Sequence, residues 1–269
     1  MQKKYALALG GGSARGLAHI GVIKYLEEQN IEISEIAGTS MGAIIGAMFA
    51  IGKTSNEIYD FAKSINYFIL IDFDLKRGLI KGKKIKEKLK EVFGEKKIEE
   101  VDIPLKIIAT NLETGEKIVF TTGKIIDALR ASISLPTTFV PYKIGKNYFI
   151  DGGFVNNLPI EVLEEKNVIA VSAIKRFSGP IKERKRNILG FDVPLNFFEI
   201  NYQILQRSII FMMEQNEEKS LKTEGKNVLF VKPDFGNLDF FDFHKTKEFV
   251  ELGYESIKEK SQGKKDFFE

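Results

Sequence analysis

The 269 residues include no cysteine, no tryptophan and only two histidines. Without a thiol the chain forms no disulfide, holds no thiolate zinc site or iron–sulfur cluster, and offers no cysteine nucleophile; its redox compartment stays open. Lopsided charge is missing as well. The 40 basic residues against 37 acidic ones leave a net charge of +3, which gives no case for a nucleic-acid partner. Long apolar runs are absent too: the longest charge-free stretch, 36–52, falls short of the roughly 20 residues of a membrane span. The apolar run 5–9 is below the roughly 7–15 residues of a signal-peptide core, and it runs into glycines and Arg15, so it reads as a first strand. A cytoplasmic protein is the expectation, with peripheral contact to a membrane left open. No histidine–carboxylate cluster has zinc spacing, and neither metal nor cofactor is expected. What is present is an ordinary globular composition, 43% hydrophobic and 29% charged, in a chain long enough for one large α/β domain.

Short apolar runs then alternate with amphipathic ones. A strand at 5–9, a glycine loop at 10–16, a helix at 17–29, a strand at 31–37 and a helix at 43–51 imply parallel strands joined by right-handed crossovers. Thr54-Ser55-Asn56-Glu57 reads as a capping box opening the next helix. Residues 65–75 are aromatic and aliphatic but broken by Asp72 and Asp74, and 76–97 are strongly basic with a helix around 83–93. A charge run is usually a solvated face; the sharper alternative is an apolar lid beside a patch that rests on anionic headgroups. Further strands are expected at 105–110, 117–121, 148–150, 168–173 and 228–231, with a turn at 111–115 making a hairpin of the first two. Helices are expected at 125–131, at 160–165 behind Pro159, at 197–213 and at 246–260, and a mobile basic loop at 175–186. No repeat or linker divides the chain. Residues 5–171 carry every motif, and 172–269 read as a mainly helical extension packed into the same domain. Pairing of two chains through the 197–213 helix is left open.

The most informative stretch is Gly38-Thr39-Ser40-Met41-Gly42, a Gly-x-Ser-x-Gly pattern between an apolar approach and a charge-free exit. In a nucleophile elbow a strand turns sharply into a helix and leaves the serine hydroxyl exposed. Gly38 and Gly42 suit that turn, since a side chain at either would collide with neighbouring backbone. Serine needs a base to take its proton. His19 falls in the first helix and His244 in a segment with no other catalytic signal, so both read as structural or surface residues. Asp151 is the outstanding substitute, delivered by an apolar strand and followed by Gly152-Gly153, although Asp-Gly-Gly alone is usually a turn. Its reference pKa of about 3.9 rises with burial, and a stabilised oxyanion lowers the barrier such a base must help cross.

Gly10, Gly11 and Gly12 lie between a strand end and a helix N-terminus, where backbone N–H groups favour negative charge; Arg15 is placed to steady the loop or an anionic headgroup. Phosphate binding is the rival reading. The dinucleotide fingerprint G-x-G-x-x-G fails, because counting from Gly10 puts Arg15 last and counting from Gly11 puts Ser13 in the middle. The Gly-Lys-Ser/Thr of a P-loop is missing too. An oxyanion hole is the better reading. Ser172-Ala173-Ile174-Lys175 fits Ser-x-x-Lys but lacks the companion motifs and reads as a strand end.

Taken together, Gly10 to Gly16, Gly38 to Gly42, Ala131-Ser132-Ile133-Ser134-Leu135-Pro136 on to Pro141, and Asp151-Gly152-Gly153 resemble the ordered motif set of bacterial patatin-like phospholipases. The resemblance covers roughly 5–171. It implies an α/β fold of three layers, α/β/α, with a mostly parallel central sheet and a nucleophile elbow. It also implies hydrolysis of acyl esters in lipids at a membrane or micelle surface by a serine–aspartate dyad. It carries nucleophile onto Ser40, base onto Asp151 and oxyanion donors onto Gly11 and Gly12, with Gly10 and Arg15 supporting. The last hundred residues match no motif, which leaves headgroup, acyl position and chain length open. The alternative is a regulatory protein of the same fold that binds a partner or lipid with little turnover.

Overall fold

Tyr5–Leu9, all buried, form strand β1, and a short 3-10 turn, Ser13–Leu17, leads into helix α1, Ala18–Glu28. The computed structural model describes residues 3–65, 72–74, 79–136, 138–176, 185–188, 191–194 and 197–268. Next come β2 (Ile33–Thr39), α2 (Met41–Ala50) and α3 (Ser55–Ser64). Thr54 caps α3 in the expected capping box with Glu57. A small ladder of β3 (Phe73–Asp74) and β4 (Leu79–Ile80) precedes α4 (Lys83–Phe93). The chain continues through β5 (Leu105–Asn111), β6 (Lys117–Phe120), α5 (Ile125–Ser132), β7 (Tyr142–Ile144), β8 (Asn147–Asp151) and β9 (Asn167–Val171). The rest is a hairpin of β10 (Lys185–Ile188) and β11 (Phe191–Pro194), then α6 (Phe197–Ser220), β12 (Asn227–Val231) and α7 (Thr246–Gly263).

The main sheet runs β12-β9-β1-β2-β5-β8-β7, with β6 also on β5. Its first five strands are mutually parallel, whereas β6, β7 and β8 form an antiparallel arm. Alternation along β1 divides the core between the two faces. Leu7 and Leu9 face a large cluster with residues of α1, α2, α5 and α7. Ala6 and Ala8 face Leu158, Ile160 and Leu163, with Leu221 beyond α6 packed beside them. The result is the three-layer, mostly parallel α/β architecture.

One expected helix is absent. Residues 160–165 form turns and irregular chain, because side chains from elsewhere take the backbone groups a helix would use. Glu35 accepts from the N–H groups of Glu164 and Glu165, Lys106 donates to Val162 O, and Lys226 donates to the carbonyls of Leu163, Glu164 and Glu165. Two boundaries move for similar reasons. The helix read as 197–213 continues to Ser220, its last turns turning Glu214, Glu217 and Ser220 inward rather than apolar residues. The strand read as 168–173 stops at Val171; the Ser172 N–H still donates to Val231 O at 2.9 Å, and its hydroxyl donates to Glu217. In the basic stretch, Lys86, Lys88 and Lys90 pair with Asp127, Glu91 and Glu95. Most of the lid read at 65–75 and of the loop read at 175–186 lies outside the described residues.

Candidate active site

Strand β2 ends at Thr39, and the next residue turns the chain. Ser40 has φ 53° and ψ −121°, then α2 begins at Met41. Positive φ at a non-glycine residue is strained and is held by its surroundings. Here the neighbours leave no slack: a Cβ on Gly38 would lie 2.6 Å from Ala43 Cα, and one on Gly42 would run into the Leu9 carbonyl. The Ser40 N–H donates to Ser132 Oγ at 2.8 Å. Strand β5 brings the second residue to the first, with Ile108 opposite Thr39 and Ala109 opposite Asp151. Ser40 Oγ donates to Asp151 Oδ2 at 2.6 Å.

Asp151 is 1% exposed. Its Oδ1 accepts the Gly153 N–H at 2.8 Å, its own N–H donates to Ser134 O at 3.0 Å, and its carbonyl accepts from Thr110 Oγ1 at 2.8 Å. Burial pushes its carboxyl up to about 6, against the opposing pull of the bonds from Ser40 and Gly153. Two residues of one segment, Ser132 and Ser134, thus fix both halves of the Ser40–Asp151 pair. Both lie in the motif segment 131–141, which by itself assigns them no role. Neither histidine contacts Ser40. His19 is fully buried, its Nε2 is 2.7 Å from Gly10 O, and burial lowers its pKa to about 4, so it is a neutral donor to the loop. His244 lies on the wall of the adjoining cavity.

The glycine loop runs beside the serine. The Gly10 N–H donates to Val171 O at 2.9 Å and the Gly11 N–H to Asn157 O at 3.3 Å, so Gly11, expected as an oxyanion donor, has its N–H committed within the fold. Among the described residues the Gly12 N–H has no acceptor. The Met41 N–H, first in α2, has no partner within its helix. Gly11, Gly12, Ser40, Met41 and Asp151 all line one cavity of about 870 Å³. Arg15 is buried outside that cavity, with Nη2 3.6 Å from Asp239 and its guanidinium over the Phe240 ring, so it ties the loop to the segment before α7. Away from Ser40 the cavity wall is mainly apolar, with Ile44, Met48, Phe61, Leu89, Phe139 and Phe240, and with Lys63, Lys88 and Lys247 among its cations. Among the described residues no cluster of histidine and carboxylate groups is suited to a metal ion, and no helix is long and apolar enough to cross a membrane.

The family model for patatin-like phospholipases matches residues 7–164. An uncharacterized NTE family protein of Mycobacterium tuberculosis is 35% identical over 192 residues, covering 69% of this chain and 53% of that protein. Lysophospholipase NTE1 of Meyerozyma guilliermondii is 28% identical over 269 residues, covering 92% of this chain and 18% of that protein. The chain thus spans about half the length of the mycobacterial relative and a much smaller part of the second. Among solved structures, VipD from Legionella pneumophila superposes with a TM-score of 0.61 at 14% identity, over 97% of this chain and 67% of that one. At that identity the likeness is one of fold.

Proposed function

The chain belongs to the patatin-like phospholipase family, and from that premise we propose that it is a serine acyl hydrolase acting on carboxyl esters of lipids. The observation that carries the reading is the 2.6 Å bond from Ser40 Oγ to a buried Asp151 at the wall of a large apolar cavity. Ser40 Oγ attacks the ester carbonyl while its proton passes to Asp151 Oδ2. The resulting oxyanion is met by the Gly12 and Met41 N–H groups, with Gly10 and Gly11 holding the loop in place. One such donor is worth roughly 2.7–4 kcal/mol in the transition state. Collapse expels the alcohol, which takes the proton from Asp151 and leaves an acyl-Ser40. Water then gives a proton to Asp151 as it attacks the acyl carbon, and collapse of that intermediate returns the proton from Asp151 to Ser40 Oγ as the fatty acid leaves. The acyl chain occupies the apolar cavity, and substrate is drawn from a membrane or micelle surface past Phe241, which is 47% exposed on the cavity wall.

Exchange of Ser40 for Ala should abolish ester hydrolysis and labelling by a fluorophosphonate while leaving the unfolding transition in place. Wild-type turnover in that variant, or an adduct on another serine, overturns the assignment. Mass spectrometry of the products that wild type and Ser40→Ala release from a mixed lipid extract would identify the ester.

A further inference from the structure

One buried carboxylate stands outside the chemistry above. Glu217 lies on α6, is 2% exposed, and faces the back of the glycine loop. A carboxylate in such a place is costly unless donors meet it. Two do. Ser172 Oγ donates to Oε2 at 2.7 Å, and Asn157 Nδ2 donates to Oε1 at 2.7 Å. The same Nδ2 donates to Gly11 O at 3.2 Å, and the Asn157 main-chain oxygen accepts the Gly11 N–H. Contact with the loop is direct: a Cβ on Gly10 would stand 3.3 Å from Glu217 Oε1, and one on Gly11 2.8 Å from Asn157 Oδ1. A Cβ on Gly153 would also stand 2.8 Å from that Oδ1. Asn157 is therefore wedged between the glycine loop and the turn that carries Asp151.

The Asn157 Oδ1 is buried with no hydrogen-bond partner, so it does not set the orientation of the amide. Nδ2 sets it, by facing two acceptors. Turned over, the amide would press Oδ1 against Gly11 O and Glu217 Oε1, an arrangement tolerable only if Glu217 carried a proton to donate. Resting on the reading of Ser40 and Asp151 as the dyad, we propose that Glu217 is a positioning residue for the glycine loop, acting through Asn157, and that its carboxylate form is the one that holds the loop.

The charged groups facing Glu217 are Glu214 from its own helix and Lys232 from the chain after β12. Glu214 is itself held by Lys232 at 3.7 Å and Arg176 at 3.6 Å. Ser172 and Asn157, from the other two sides, bring no charge. Burial outweighs the donors and Lys232 and raises the Glu217 carboxyl to about 7. Below that pH the group becomes a donor, Asn157 no longer gains by presenting Nδ2, and Gly11 O loses its anchor. The oxyanion donors then drift from the position they must hold, which lowers kcat more than it raises KM.

The test is kcat and KM on a soluble short-chain acyl ester from pH 5 to 9, for wild type, Glu217→Gln, Glu217→Ala and Ser40→Ala. Gln keeps the shape but, like the protonated carboxyl, is neutral and carries a donor at every pH. Its kcat above pH 8 should fall to the level wild type reaches below pH 7, while the acid limb moves down by about one pH unit, to that of Asp151. Ala should lose roughly tenfold or more in kcat with KM little changed, and unfolding curves check that it folds. If Ala does not fold, the Gln profile decides alone. An acid limb in Glu217→Gln that coincides with wild type overturns the proposal, as does a folded Glu217→Ala with unchanged kcat. Hydrolysis by Ser40→Ala would instead sink the dyad itself, so the two failures are distinguishable.

Discussion

At the scale of single residues, Asp151 couples chemistry to stability. Its carboxyl is raised from 3.8 to about 6, with burial the leading cause. Between those values the folded protein binds a proton the unfolded chain has released, so this group makes stability fall as pH rises from about 4 to 6, and adds no slope above that. The two-unit gap corresponds to roughly 3 kcal/mol. Asp151→Asn should therefore be inactive, yet its stability relative to wild type should climb across that window in urea titrations. A constant difference from pH 4 to 7 would show that the carboxyl is not under this strain. Ser132 is the opposite case. Its hydroxyl accepts the N–H of a residue already in a strained conformation. Ser132→Ala leaves that N–H unsatisfied, which should cost about 1–3 kcal/mol of stability and lower kcat, read by unfolding and turnover together.

At the scale of elements, the elbow was legible because its demands are local. Gly38, Ser40 and Gly42 stand within five positions; Gly38 answers to Ala43 within the turn, and Gly42 to the Leu9 backbone of the neighbouring β1. The supports were not legible for the converse reason. The bond from Ser132 to Ser40 joins positions 92 apart, that from Asn157 to Gly11 joins positions 146 apart, and that from Asn157 to Glu217 joins positions 60 apart. No local periodicity encodes such pairs. The missing helix at 160–165 failed likewise, since Glu35, Lys106 and Lys226 come from three other segments. Helix α2 offers a test of the local argument. Alanine favours a helix over glycine by about 1 kcal/mol at both Gly42 and Gly46. A Cβ at Gly42 meets the Leu9 backbone, while one at Gly46 meets side-chain methyls of Ile36 and Leu9 at 2.9 and 3.4 Å. Backbone in a central strand cannot give way as a methyl can. Gly42→Ala should lose about 3 kcal/mol or more and its activity, whereas Gly46→Ala should stay within about 1 kcal/mol. Equal thermal stabilities for the two variants would falsify this account of the elbow.

At the scale of the whole molecule, the family match ends at residue 164, but the packing does not. Strand β12 pairs with β9 along its full length, from Asn227 opposite Asn167 to Val231 opposite Val171. Helix α7 lies along α1, with Phe249 and Ile257 fully buried and Tyr25 OH 2.6 Å from Ser261 Oγ. Helix α6 supplies Met213 to the cavity wall and Glu217 to the back of the glycine loop. The apolar runs of these elements could be read from sequence, yet where they pack could not, because sheet order and helix docking are long-range choices. We therefore expect the last third to be part of one cooperative unit with residues 5–171. A chain ending at Lys175 would leave the outer edge of β9 unpaired and an apolar face of α1 in water, a recipe for aggregation. It should express as insoluble or loosely packed protein, without a cooperative unfolding transition and without fluorophosphonate labelling at Ser40. Amide exchange on the full chain gives the complementary reading. The β9, β12 and α7 amides should share the slowest rates with β1 and β2, because they open only with the whole domain. Early exchange confined to α7 and β12, together with a shortened chain that unfolds cooperatively and labels at the full rate, would make the last third a separate unit.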